Sequence, residues 1–179
     1  MLEILAKRSI FVGSLIAMSV MFMIVMLVVN PLIDGDTGLG VLQLQLAFSS
    51  QLGAHIVSQW GELGISNFQR FIVADYLYAL SYSVFFASVL SVLIIRKGKQ
   101  HQLGYTWVVY LAFVAGLFDW IENSIQLLFI SNPEMVSNSL FIAHSVLASL
   151  KWAAVPIAVG YILVLLRQPS TAPALAVAK

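Results

Sequence analysis

Four long apolar runs make up most of this chain, and three of them carry ionisable residues well inside their length. Asp75 stands early in the second run. Asp119, Glu122, Asn123 and Gln126 lie within the third, and His144 and Lys151 within the fourth. A carboxylate or ammonium at bilayer depth costs roughly 2.5 to 3.5 kcal/mol on insertion scales. Such residues turn away from lipid, toward a bundle interior or a water-filled cavity, and find partners there. The sequence therefore predicts a polar site inside a membrane protein.

Composition leads to the same class. Of 179 residues, 60% are hydrophobic and 9% charged, with a mean hydropathy of +0.94. Soluble domains carry about 25% charged residues. A spanning helix uses about 20 residues, so four spans consume nearly the whole chain and leave room for one bundle. The net charge of +1 and the lack of a basic stripe argue against a nucleic-acid partner. With no cysteine, thiolate nucleophiles, disulfides, iron–sulfur clusters and Cys-based zinc sites are excluded.

The predicted fold is all-α: a four-helix membrane bundle with spans over about 10–29, 67–95, 104–130 and 139–166. The first run follows Lys7 and Arg8 but is too long for a signal h-region and lacks a small-residue cleavage site, so it reads as a retained helix. Residues 30–66 form a long connection. In it, Leu42-Gln43-Leu44-Gln45-Leu46 alternates with period two and predicts an extended stretch. Ser49 or Ser50 then caps a short amphipathic helix over 51–60, carrying Leu52, Ile56 and Trp60 on one face and stopped by Gly61. A capping box at Ser66–Gln69 predicts the start of the second span. Asn132-Pro133 ends the third, and Pro156 predicts a kink in the fourth. The Ala/Pro-rich stretch 168–179 reads as a disordered tail.

Charge distribution orients the bundle. With four spans, Lys7, Arg8, Arg96, Lys97, Lys99 and Arg167 fall on one side, and Asp34, Asp36, Glu62 and Glu134 on the other, with Arg70 as that side's exception. The positive-inside rule makes both termini cytoplasmic and the 30–66 connection external. The expected location is the bacterial inner membrane.

Helical spacing groups the polar residues into faces. Asp119, Glu122, Asn123 and Gln126 fall at i, i+3, i+4 and i+7; Asp75, Tyr78 and Tyr82 share a face of the second span, and His144 and Lys151 one of the fourth. Three carboxylates then face one lysine and one histidine, an excess of negative charge that needs a proton or a cation. Lys151 is expected to pair with Asp119, at similar depth. That leaves Glu122 and Asp75 to hold or exchange a proton, with His144 as proton partner. Glu122, Asp75 and His144 are thus the candidate acid–base residues, and Asp119, Asn123, Gln126, Tyr78, Tyr82 and Lys151 the candidate ligand contacts.

Sharper motifs fail. A di-iron bundle needs Glu-x-x-His pairs that are missing, a zinc site has a single histidine to draw on, and neither Ser145 nor Ser124 sits in a nucleophile-elbow sequence. No metal or other cofactor is expected. The plain alternative is that the polar residues only lock helices together, as interhelical hydrogen bonds do.

Asp75 and Tyr82 followed by Phe118-Asp119-Trp120-Ile121-Glu122-Asn123 resembles four-span bacterial membrane proteins with an Asp…Tyr and Asp-x-x-Glu-Asn pattern, a resemblance that implies no activity. At the level of topology the layout is similar to the EXPERA group of sterol isomerases and sterol-binding receptors: a first span, a long outer connection, and an acidic residue early in the second span. That resemblance implies a sterol or other isoprenoid ligand with Asp75 and Glu122 as acid and base. The expected function is binding of a small amphipathic lipid, with isomerase-type proton transfer. Membrane lipids are the expected partners, together with a homo-oligomer or larger membrane complex. A non-catalytic membrane subunit, or proton or ion conduction by an oligomer, are the alternatives.

Overall fold

The computed structural model describes residues 1–29, 31–34 and 38–169. Every regular element among these residues is helical. A short helix, α1 (Leu2–Leu5), precedes α2 (Arg8–Met23), which continues as a π-helical turn over Ile24–Val29. Two short helices follow, α3 (Pro31–Asp34) and α4 (Val41–Gln45). The long helices are α5 (Ser50–Arg96), α6 (Leu103–Ser131) and α7 (Asn138–Arg167). Four of these, α2, α5, α6 and α7, are long and apolar enough to cross a membrane.

The boundaries of the third and fourth runs match the sequence reading to within a residue. Asn132 ends α6, and the Ser137 hydroxyl opens α7 by accepting from the Leu140 amide at 3.2 Å. Several details differ. Leu42–Leu46 is not extended: residues 41–45 are helical, with Val41, Leu44 and Gln45 buried at i, i+3 and i+4. The alternation misled because Gln45 is an interior residue here, its side-chain oxygen accepting from Trp152 Nε1 at 3.1 Å. The box at Ser66–Gln69 does not start a helix either. The chain is already helical from Glu62, so Ser66 is an interior helical position. The break lies at Gly61, whose φ of 61° and ψ of −176° suit a residue without Cβ. Third, Leu52 is exposed and does not share the buried face of Ile56 and Trp60. Gly53 takes that place, against the Phe141 ring. The helix runs unbroken through Pro156. Asp36 and residues 170–179 of the expected tail lie outside the described residues.

Apolar packing falls into three clusters along the bundle. One end is built from Val25, Leu44, Trp60, Phe68, Phe129 and Phe141. There the Trp60 indole donates to the Leu39 carbonyl at 2.5 Å, and its ring lies tilted against Phe68 with centroids 5.0 Å apart. The other end packs Leu90, Ile94, Val108 and Leu165 with α1. The Ser88 hydroxyl binds the Leu5 carbonyl there, at 2.6 Å. Lys97 donates to the Gln168 carbonyl, and the Gln168 amide to the Tyr105 hydroxyl at 2.7 Å. Gln168 is therefore anchored, a correction to the tail's expected start. The basic residues flanking α2, α5 and α7 gather at this second end.

Between the two ends the apolar core is thin: Ala79, Tyr82, Ala115 and Ala154. Three of those four are alanines, so α5, α6 and α7 approach closely and leave width for polar side chains. Gly116 takes this furthest, since a Cβ there would collide with the Ser83 hydroxyl and sit 3.2 Å from the Ala79 carbonyl.

Candidate functional site

The polar faces converge in this thin middle layer. Lys151 Nζ of α7 lies 2.9 Å from Asp119 Oδ1 and 2.7 Å from Glu122 Oε2, both on α6. The expected division, Asp119 for Lys151 and Glu122 free of it, is not what the geometry shows. One ammonium bridges both carboxylates. One helical turn separates them on α6, which puts both within reach of the same long side chain. The remaining oxygen of Asp119 accepts from the Tyr82 hydroxyl of α5 at 3.1 Å.

Two further sets of contacts lie toward the Trp60 end of the bundle, one separate from this network and one joined to it. Asn123 Nδ2 donates to Asp75 Oδ2 at 3.0 Å, tying α6 to α5. Gln126 Nε2 donates to Glu122 Oε1 at 2.8 Å and lies 2.9 Å from His144 Nε2, tying α6 to α7. His144 Nε2 is itself 3.9 Å from Glu122 Oε1, so the amide stands between them. On the far side of the ring, Nδ1 is 3.4 Å from the Ser145 hydroxyl, which accepts from the Phe48 amide at 3.1 Å. Phe48 holds a φ of 50° in the link between α4 and α5.

This network is closed. Asp75, Asp119, Glu122, Asn123, Gln126, His144 and Lys151 are each at most 6% exposed. Three acidic groups share the interior with one lysine, so with His144 neutral and all three ionised the charge is −2. A buried unpaired charge is costly, so the interior favours holding at least one proton on its carboxyls. Two acceptors remain without a donor, Asn123 Oδ1 and Gln126 Oε1. Native interiors leave few such atoms.

Of the nine residues singled out from sequence, six (Tyr82, Asp119, Glu122, Gln126, His144 and Lys151) are linked in one hydrogen-bonded and ionic network, and Asp75 and Asn123 form a separate buried pair beside it. Tyr78 belongs to neither: it is half-buried, meets Tyr82 edge-on at 5.3 Å, and its hydroxyl makes no hydrogen bond among the described residues. Asp75 bonds Asn123 and His144 faces Gln126, so the three candidate acid–base residues, Glu122, Asp75 and His144, do not meet at one point. Ser145, passed over because its local sequence is not a nucleophile elbow, does touch His144. It is fully buried and already bound to Phe48, so it serves as a structural link. Gln45 and Phe48 carried no signal in the sequence, since their contacts come from α7, about a hundred residues away.

A groove of about 150 Å³ opens between α5 and α6 beside this layer, lined by Ala79, Ser83, Phe113, Gly116 and Trp120. Its lining is apolar apart from Ser83, and it lies at the crossing that presents Tyr82 and Asp119 to the interior. What fold and network define together is a helical bundle, apolar outside and ionised within. No model of a known protein family, no curated protein and no solved structure matches the chain.

Proposed function

We propose that this protein spans the membrane four times with both ends cytoplasmic, and that its buried network is a proton-holding site. The substrate in this reading is a small amphipathic lipid of sterol or isoprenoid type, reached from the membrane and acted on by acid–base chemistry. One observation carries the reading: three carboxylates share a solvent-excluded interior with a single lysine. A device that only held helices together would be served by matched pairs, whereas an excess acid is a group that can take and give a proton. Glu122 is the central group, between Lys151 on one oxygen and Gln126 on the other. Asp75 is the second acid.

The groove between α5 and α6 supports entry from the membrane side, because its lining is apolar and it borders the Tyr82–Asp119 layer. It is smaller than the roughly 300–1,000 Å³ of small-molecule pockets. A ligand must therefore part α5 from α6 to reach the acids. The basic residues gathered at the α1 end support the cytoplasmic placement of both termini.

The bridging of Asp119 and Glu122 by Lys151 favours a second reading, in which the network is only an interhelical lock. Glu122→Gln and Asp119→Asn separate the two. In the proton-holding reading, Glu122→Gln keeps the thermal melt in detergent close to that of the parent, because Asp119 still pairs Lys151. It also loses the carboxylic-acid infrared band and the turnover of candidate sterols or isoprenoids. Asp119→Asn destabilises more, since it weakens the contacts to both Lys151 and Tyr82. Equal destabilisation by the two, with no lipid bound by the parent protein, would establish the lock.

A further inference from the structure

The Gln126 side chain has an unusual set of contacts. Its Nε2 faces two groups, Glu122 Oε1 at 2.8 Å and His144 Nε2 at 2.9 Å, while its Oε1 is buried without a donor. An amide nitrogen carries two protons and accepts none. With Nε2 between them, both neighbours must be acceptors: Glu122 as carboxylate, and His144 with a bare Nε2, hence neutral and protonated on Nδ1. The Nδ1 side fits, because the Ser145 hydroxyl is 3.4 Å away and has lone pairs to offer.

A proton arriving on Glu122 Oε1 reverses this. The carboxyl becomes a donor and opposes the N–H it previously accepted. Turning the amide by half a revolution brings Oε1 between the two groups, and costs no volume because oxygen and NH₂ are nearly the same size. In that orientation Oε1 accepts from Glu122. It also requires a donor from the histidine, so the ring proton must sit on Nε2. Nδ1 then becomes an acceptor for the Ser145 hydroxyl, which still accepts from the Phe48 amide through its other lone pair. Along the line from Glu122 to Phe48 both arrangements give each group a partner, and the Phe141 carbonyl, which bonds the His144 ring, favours the Nδ1–H form at rest. Mixed ones leave like dipoles facing each other in a closed interior, where an unmet polar group costs about 1–3 kcal/mol.

We infer that Gln126 is a two-position switch, a positioning residue that couples proton uptake by Glu122 to the tautomer of His144. The inference rests on the proton-holding reading of the site and adds how the proton state is transmitted. The proton count is one: Glu122 gains a proton from water, and His144 stays neutral while its own proton moves from Nδ1 to Nε2 by exchange. The other charged and titratable groups around the switch each have a partner of their own, and one of them, Lys151, also touches Glu122. On α5, Asp75 is held by Asn123 and Tyr82 by Asp119, with Tyr78 edge-on to Tyr82. On α6 and α7, Lys151 is shared between Asp119 and Glu122 Oε2, the carboxylate oxygen that does not face the amide. Through Ser145 the switch ends at Phe48, so the link between α4 and α5 is bonded to the group whose donor role reverses.

The test is a pH titration of the full chain in detergent, with ¹⁵N-labelled histidine followed by NMR and Glu122 followed by its carboxylic-acid infrared band. Of the three histidines, the His144 signal is assigned by its loss in His144→Gln. As the pH falls, the infrared band should appear and the His144 pattern should pass from Nδ1–H to Nε2–H with the same midpoint, never reaching the imidazolium pattern first. Gln126→Met, similar in size but with neither amide donor nor carbonyl, should separate the two midpoints. The parent titration decides even if that variant does not fold. A Glu122 band that appears while His144 keeps its Nδ1 proton overturns the switch and leaves the proton-holding site standing. Absence of any band that Glu122→Gln removes overturns both.

Discussion

Helices α2 and α6 are both long enough to span a bilayer, yet they differ in almost every other respect. The window within α2 is the more apolar of the two and the less buried. Ser14 is the one buried residue between Arg8 and Met23, while Val12, Leu15, Ile16, Val20, Phe22 and Met23 are exposed. The least apolar spanning window belongs to α6, whose buried list includes Asp119, Glu122, Asn123 and Gln126. In this bundle hydropathy marks the outside, as it does in helices long and apolar enough to cross a membrane. Polarity marks the inside, because an amide or carboxylate has nowhere else to be satisfied.

The sharpest way to break this contrast is Lys151→Met. It removes the one cation contacting Asp119 and Glu122 and leaves two carboxylates without it. The expected loss is roughly 3–5 kcal/mol, the cost of breaking a buried pair from one side. Denaturant unfolding in mild detergent measures it, and a loss no greater than that of a conservative exchange on α2 would show that burial of charge does not govern this bundle. Next comes Gly116→Leu, which forces a side chain into the Ser83 hydroxyl at the α5–α6 crossing. Overpacking of this kind costs about 1–3 kcal/mol. Trp152→Phe keeps an aromatic ring but removes the indole N–H bonded to Gln45, for an expected loss of about 1 kcal/mol, readable in the same melts. The smallest effect, and the opposite sign, is expected on α2. Gly13 has open space where a Cβ would go, so Gly13→Ala should stabilise by about 0.5–1 kcal/mol through helix propensity alone. A destabilising Gly13→Ala would mean that α2 packs against something, and would point to a second copy or a partner on that face.

How the site was read from sequence follows the same contrast. Polar residues at i, i+3, i+4 and i+7 in an apolar run point inward almost by necessity, so the α6 face and its approach to Lys151 were legible. Tyr78 shows where that reasoning loosens. A tyrosine is amphipathic enough to sit half-buried at the edge of a network without bonding to it, and its spacing from Asp75 did not distinguish the two outcomes. In the 30–66 connection the apolar and polar positions are too mixed for period to decide. Leu42–Leu46 read as extended and folded as a helix.

By itself the sequence determined the all-helical class, four helices long and apolar enough to cross a membrane, the end of α6 at Asn132, and the inward turn of the α6 face. These follow from local chemistry: hydropathy over a span, a proline after an asparagine, and a helical period. Only the tertiary structure decided that one lysine bridges two carboxylates, that Gln126 stands between Glu122 and His144, and that Ser145 ties the ring to Phe48. Each of those depends on how far apart α5, α6 and α7 pack. That distance is set by Ala79, Ala115, Ala154 and Gly116, whose small size reads from sequence as nothing in particular.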